Sequence, residues 1–404
     1  MTNRRARKRV FYAACPVVLL ALLLCAFLVC FHGDICSHSA TSQITVPDDY
    51  TTIQKAIDSS KGKTLIWVSP GRYIENIDFL GKPVYLKSVA GPETTTIDGN
   101  HSGTVVRFVE GEGPDSGIEG FTIENGRAEL EENSPSKTGG GGIYCYGSGP
   151  MITKNIIRNN RAENGGGILC HDCLDKKPLI ISNLIENNDA VKGGGIRCSN
   201  ASGFIVNNVI IRNRATRLGG GLYWRESSSP LMVNNTFMNN SAGEFGGGLF
   251  GSNRVQLKSP VILSNSILWG NRAPHGSQIA LNLPGTKVTA ASSVVEHGRD
   301  GVFFKADNIE LNYLSDNIST DPQIDLDTSS LLDGSPCIDK GNNDCITGTD
   351  IATDFNGNDR IVDGNDDGNS EVDIGAYEWY SSKSQEEDIV EQKALAGREQ
   401  KEAW

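Results

Sequence analysis

The sequence predicts an all-β chain wound as a right-handed parallel β-helix. An internal repeat, very short strand-like segments and the lack of any helical period between them carry that prediction. From about residue 139, GGGI or GGGL recurs with its last residue at Ile143, Ile168, Ile196, Leu222 and Leu249. The steps of 25, 28, 26 and 27 residues fall in the range of solenoid repeats. A small residue or proline opens each unit at Pro150, Pro178, Gly203, Pro230 and Pro260. Asparagine follows at Asn155, Asn183, Asn208, Asn235 and Asn265, and again at Asn160, Asn188, Asn213, Asn240 and Asn271. Alanine stands two residues beyond the second asparagine, at Ala162, Ala190, Ala215, Ala242 and Ala273.

Each unit holds two or three short apolar segments, such as MIT, NII and GGIY in the first. Alternate side chains of a strand face one side, so one unit buries too little to fold alone, and stacking supplies the rest of the core. The solution is a coil in which every strand pairs with its equivalent one turn on. Asparagine in a fixed column then forms an amide ladder, and both asparagine and glycine suit sharp corners.

The elements follow in order. Residues 1–40 read as a signal peptide or signal-anchor: Arg4, Arg5, Arg7, Lys8 and Arg9 precede an uncharged apolar run of 22 residues, Val10–Phe31. Either form places the rest of the chain outside, at the cell surface or in the extracellular space. Residues 44–62 read as a lead-in strand and a short amphipathic helix with Ile53, Ala56 and Ile57 on one face, capping the first coil. Coils extend over 63–335, regular at 139–275 and irregular from 276. A loop-rich segment occupies 336–380, and 381–404 is a charged tail.

Composition limits the partners. The formal charge is −12 although five cations crowd the first nine residues, so the body is strongly acidic. That argues against nucleic acid, and it repels acidic polysaccharide unless Ca²⁺ or a local basic strip intervenes. One column supplies such a strip: Arg161, Asp189, Arg214, Ser241 and Arg272 precede the alanines. It reads either as a salt-bridged ladder or as a track for acidic sugars. Tyr144, Tyr223, Trp224 and Phe250 follow the GGG motifs, and at least one of Tyr223 and Trp224 is expected to face outward. Such aromatics stack on sugar rings or pack in the core.

Six cysteines lie beyond the N-terminal region. Cys145, Cys170 and Cys198 share a column as a buried thiol stack, or with one disulfide between adjacent coils. Cys170 and Cys173 form a CxxC without the setting of a redox or zinc motif. Cys337 and Cys345 close a short loop and are the expected disulfide. Asp363, Asn365, Asp367 and Gly368 repeat the first half of a calcium loop, with Glu371 at its ninth position, so this stretch reads as a Ca²⁺ site or as a solvated acidic turn.

The stretches VPDDYTTIQKAID, VSPGRYIENIDFLGKPV, TIDGN and IEGFTIENG, with the GGGI and NxIxxN units, resemble bacterial parallel β-helix proteins of the pectin-lyase-like superfamily. The GGGI and FMNN elements are also similar to repeats of chlamydial polymorphic membrane proteins. LLDGSPCIDKG, DFNGNDRIVDG and VDIGAYEW resemble the C-terminal segment of surface β-helix proteins of the choice-of-anchor type. The resemblance spans about residues 45–380. It implies the right-handed fold, a surface location and extracellular polysaccharide as the partner. It also implies a runner-up activity, Ca²⁺-dependent β-elimination by an Arg or Lys base as in pectate lyases. No known catalytic signature is present: Arg272-Ala273-Pro274-His275 begins the RxPxxR pattern and lacks its closing arginine. Catalytic residues are therefore not assigned.

Overall fold

The computed structural model describes residues 41–128, 139–255, 259–347 and 351–381. Three parallel sheets form the walls of a β-helix. Sheet A has 11 strands, from Ser42–Val46 to Glu310–Tyr313, while sheets B and C have 9 each. Sheet B runs from Gly71–Ile74 to Val294–Val295 and sheet C from Ile77–Asp78 to Val302–Phe304. A fourth sheet, D, has 5 strands from Arg127–Ala128 to Ser241–Ala242, inserted between B and the glycine run that leads into C.

Every strand pairs in parallel with its equivalent in the next coil, for example Ile168 with Ile196 and Ile196 with Leu222. The column Ile143, Ile168, Ile196, Leu222, Leu249 and Ile279 is therefore one buried stack. Helix α1 (Ile53–Ser59) buries Ile53, Ala56 and Ile57 over the first coil, as its periodicity predicts. The carboxylate of Glu75 accepts from the N–H groups of Ile53 (3.0 Å) and Gln54 (2.9 Å), two of the donors a helix start leaves open.

Two amide ladders run inside the corners. The N–H and Nδ2 of Asn183 both donate to Oδ1 of Asn208, at 2.9 and 3.1 Å, and Asn155, Asn208, Asn160, Asn188, Asn213 and Asn240 repeat the pattern. One expected member is displaced. Asn265 sits at the corner position before the ladder, with φ +46 like the equivalent Asn234 at +54, and Ser266 Oγ accepts from Asn235 N–H instead. Leu231 follows Pro230 but pairs with Ile262, two places after Pro260, so the opener Pro260 and Asn265 fall one place out of their columns. The ladder asparagines themselves are not left-handed. That conformation falls on the residue before each, Lys154, Ser182, Asn207, Asn234 and Asn265.

Glycine is required where the chain returns from sheet D to sheet C. A Cβ on Gly194 would lie 2.5 Å from Gly220 O and 2.7 Å from Arg214 O, and Gly193 holds φ +71. Stacked glycine runs let each coil's return strand rest on the sheet D backbone of the next, which also explains the alanine column.

Beyond Tyr313 the chain turns back along the outside of the coils. Ile324, Leu331, Cys337, Ile338, Ile374 and Tyr377 cover the outer residues of sheet B, including Val209, Ile211, Met238 and Ile267. Cys345, Ile346, Ile351 and Val372 cover Leu179, Phe204, Val206 and Leu231 of sheet A. The left-handed corner asparagines serve as handles: Asn207 Nδ2 donates to Thr353 O (2.7 Å), and Asn265 exchanges hydrogen bonds with the backbone of Asn342 (2.9 and 3.1 Å).

Candidate functional site

Arg161, Asp189, Arg214, Ser241 and Arg272 stack in register. Arg161 pairs with Asp189, Asp189 with Arg214, Arg214 with Ser241, and Ser241 with Arg272. Arg214 Nη1 lies 3.0 Å from Asp189 Oδ2, and both side chains are exposed. A second charge ladder runs up the outer face of sheet B, where Arg72 pairs with Asp98 and Glu124, Arg158 with Glu124, and Arg212 with Glu186. The exposed Arg214–Asp189 pair contributes about 1 kcal/mol or less, whereas the sheet B arginines reach largely buried carboxylates, and in both ladders the alternation keeps like charges apart along stacked coils.

Tyr223 and Trp224 are both buried, against the expectation that one of them is presented to solvent. Trp224 points inward and donates from Nε1 to Asn253 Oδ1 at 3.0 Å. Tyr223 points outward from sheet C yet is only 5% exposed, because its column neighbours and sheet D close over it. Strand alternation is obeyed; the outer side of this strand is itself a packed interface.

That interface is a crease between two facing columns. Sheet C contributes Leu169, Arg197, Tyr223, Phe250, Ala280 and Phe303 in register. Opposite run Asn164, Lys192, Leu218, Phe245 and His275. One end is aromatic: Phe245 lies 6.0 Å from Phe250, 5.8 Å from Phe303 and 5.0 Å, stacked, from His275. Lys305 Nζ lies 4.1 Å from the Phe245 ring centre.

The other end is polar and incompletely satisfied. Arg197 is 6% exposed, its guanidinium lies 5.3 Å from the Tyr223 ring, and its Nε has no partner. Glu163 Oε2 and Asn164 Oδ1 are likewise buried without a donor. Arg217 is taken by Glu244 at 2.6 Å and Arg225 by Glu226 at 2.5 Å. Lys192 and Arg197 have no carboxylate at ion-pair distance among the described residues. Burial, then repulsion from Arg197, lowers the Lys192 ammonium from its ordinary value. A buried polar atom left unpaired costs about 1–3 kcal/mol, so three in one place make this end of the crease the least satisfied part of the packed wall. Sequence reading missed it. The available signal was Arg197, an arginine in a column otherwise made of Tyr144, Leu169, Tyr223 and Phe250.

The remaining candidates lie elsewhere. Asp363 accepts from the N–H groups of Asp367 (3.0 Å) and Gly368 (2.8 Å), and Asn365 Oδ1 accepts from Asp367 N–H (2.9 Å). Glu371 sits across a hairpin bridge from Val362. These side chains hold their own turn, and no cluster of three or more metal-ligating His, Cys, Asp or Glu occurs among the described residues.

The expected Cys337–Cys345 bridge is not made. Cys337 is a free thiol in the cluster over sheet B, whereas Cys345 packs over sheet A with its Sγ 3.1 Å from Ser264 Oγ. Cys145, Cys170 and Cys198 are in register as free, buried thiols, and Cys173 Sγ donates to His171 O at 3.1 Å. The N-terminal apolar segment lies outside the described residues, and no helix among those described is long and apolar enough to cross a membrane.

No curated protein sequence matches the chain significantly. Among solved structures it is similar to pectate lyase Pel9A, with 12% identity over 84% of this chain and 97% of that one and a TM-score of 0.45. It is also similar to Escherichia coli YbhC, with 12% identity over 71% and 87% and a TM-score of 0.37. Carrot pectin methylesterase gives 13% identity over 71% and 84% and a TM-score of 0.30. At such identities the likeness is one of chain path alone. Residues 95–283 match the family described as right handed beta helix region. Together with the parallel coils, that match shows the chain to be a right-handed parallel β-helix.

Proposed function

We propose that this is an exported, surface-associated β-helix that binds acidic polysaccharide along the crease between sheets C and D. One observation carries the reading: Lys192 and Arg197 lie on the crease without a carboxylate at ion-pair distance, with Glu163 the nearest acidic group they share. A uronic acid unit presents a carboxylate for these cations. The aromatic end offers ring faces for the next sugar. The crease is also the local basic strip that an otherwise acidic body needs to hold such a polymer.

The test is titration with uronic acid oligosaccharides by calorimetry, across salt concentrations. Lys192→Gln, at a half-buried side chain, is expected to weaken binding about tenfold and flatten the salt dependence. Equal affinity in that variant and in Arg197→Gln sinks the proposal.

A second reading is a lyase in which Lys192, half-buried on the crease and without a carboxylate at ion-pair distance, takes the role of the base. Incubation with uronic acid polymers, with and without Ca²⁺, then yields the ultraviolet absorbance of an unsaturated product. Binding without that absorbance leaves the binding role alone.

A further inference from the structure

The C-terminal segment has a cleft of its own. It measures about 650 Å³ and opens between residues 333–340, the turn at Gly364–Asp366 and the stretch Trp379–Ser381. None of its lining residues belongs to the crease. Its wall is built: Trp379 N–H donates to Asp373 Oδ2 at 2.6 Å, and its side chain packs against the cluster over sheet B. Tyr380 Oη donates to Asp359 O at 2.8 Å. Trp379 is thus held by its backbone and by packing on that cluster while its side chain lines the cleft. Asp333, Lys340, Asn365 and Asp366 provide polar groups around it.

We propose that this cleft is a second saccharide site, taking a short neutral glycan. A pinned indole offers a flat apolar face to the C–H side of a pyranose. The carboxylates and the amide then accept and donate to vicinal hydroxyls in the plane of the ring. The volume lies within the range of pockets that enclose small ligands. An acidic sugar is disfavoured: Asp333 and Asp366 line the cleft, and the neighbouring turn carries Asp363 and Asp367. The two sites thus select opposite classes of sugar, and this one stands or falls independently of the crease.

The test titrates the full chain with neutral gluco-, manno-, xylo- and chito-oligosaccharides, followed by calorimetry and tryptophan fluorescence. At least one is expected to bind saturably. Trp379→Ala is expected to weaken it about tenfold, while Trp379→Phe retains most of the affinity because a ring face remains. Asp366→Asn, at an exposed turn residue that should not affect folding, is expected to weaken it about threefold through a poorer hydroxyl acceptor. Lys192→Gln is expected to leave it unchanged. The proposal is overturned if no neutral oligosaccharide binds. It is also overturned if affinity survives intact in both Trp379→Ala and Asp366→Asn, or if Lys192→Gln abolishes binding, which would place the ligand in the crease.

Discussion

Asp373 shows how one buried residue couples the C-terminal segment to pH. Its carboxylate accepts from Asp339 N–H (2.7 Å) and Trp379 N–H, next to a knot in which Arg360 pairs with Glu378 and donates to Asn207 Oδ1 and Gly375 O. Burial pushes Asp373 up to about 7 and raises Glu378 as well, so the folded knot keeps protons that the unfolded chain releases near pH 4. The native state then binds more protons than the unfolded state between about pH 4 and 7, and stability falls as pH rises through that window. Denaturant midpoints should decline as pH rises from 4 to 7. Asp373→Asn should flatten that slope, and a slope left unchanged would assign the retained proton elsewhere. The ladder makes a second prediction. Asn208 accepts from the N–H and Nδ2 of Asn183 and donates to Ile180 O and Val206 O. Asn208→Ala strands these buried groups, with an expected loss of about 3 kcal/mol in chemical denaturation.

At the scale of the element, the glycine run is the most constrained piece of the repeat. Gly194→Ala sets a methyl against the Gly220 carbonyl of the next coil and the Arg214 carbonyl of sheet D. The expected cost is about 3 kcal/mol, read as a lowered melting temperature with the circular dichroism spectrum retained below it. The thiol column is an element of the core in the same sense. Burial raises the Cys145 thiol, and hydrogen bonding between the stacked sulfurs further raises Cys170 and Cys198. These three should resist an alkylating reagent in the native protein and react after denaturation, which mass spectrometry resolves site by site. The one-place offset after Pro260 is absorbed at a corner. There Asn265 exchanges a ladder place for a docking place without disturbing strand register.

At the scale of the molecule, the coils and the returning segment share a surface. Leu179, Phe204, Val206, Val209, Ile211 and Val233 point outward and are buried only because residues beyond 313 lie over them. A chain ending after residue 320 should expose that stripe, bind a hydrophobic dye and aggregate, while the coils keep their β-sheet spectrum. A monomeric, dye-silent truncation would mean that the stripe closes by another route. The segment therefore completes the solenoid laterally, much as helix α1 completes it at one end.

The coil and its columns were legible because each repeat unit restates the same local requirements. Glycine occurs where a Cβ cannot fit, asparagine where one side chain must satisfy two coils, and an alternating apolar residue where a strand faces the axis. Such demands arise between neighbours a fixed number of residues apart, so they print themselves on the sequence at a fixed period. The basic column of Arg161, Asp189 and Arg214 was legible for the same reason. The crease, the cleft and the thiol state were not. Asn164, Lys192 and Arg197 meet only because sheet D folds over the outer side of sheet C, and Cys337 and Cys345 part because they cover different walls. Whether Tyr223 is a sugar platform or packing depends on what closes over it, a contact between two columns rather than along one. Periodicity determined the path of the chain and what each coil buries inside. Only the tertiary structure decided which outward side chains are covered and which buried polar atoms are left unpaired.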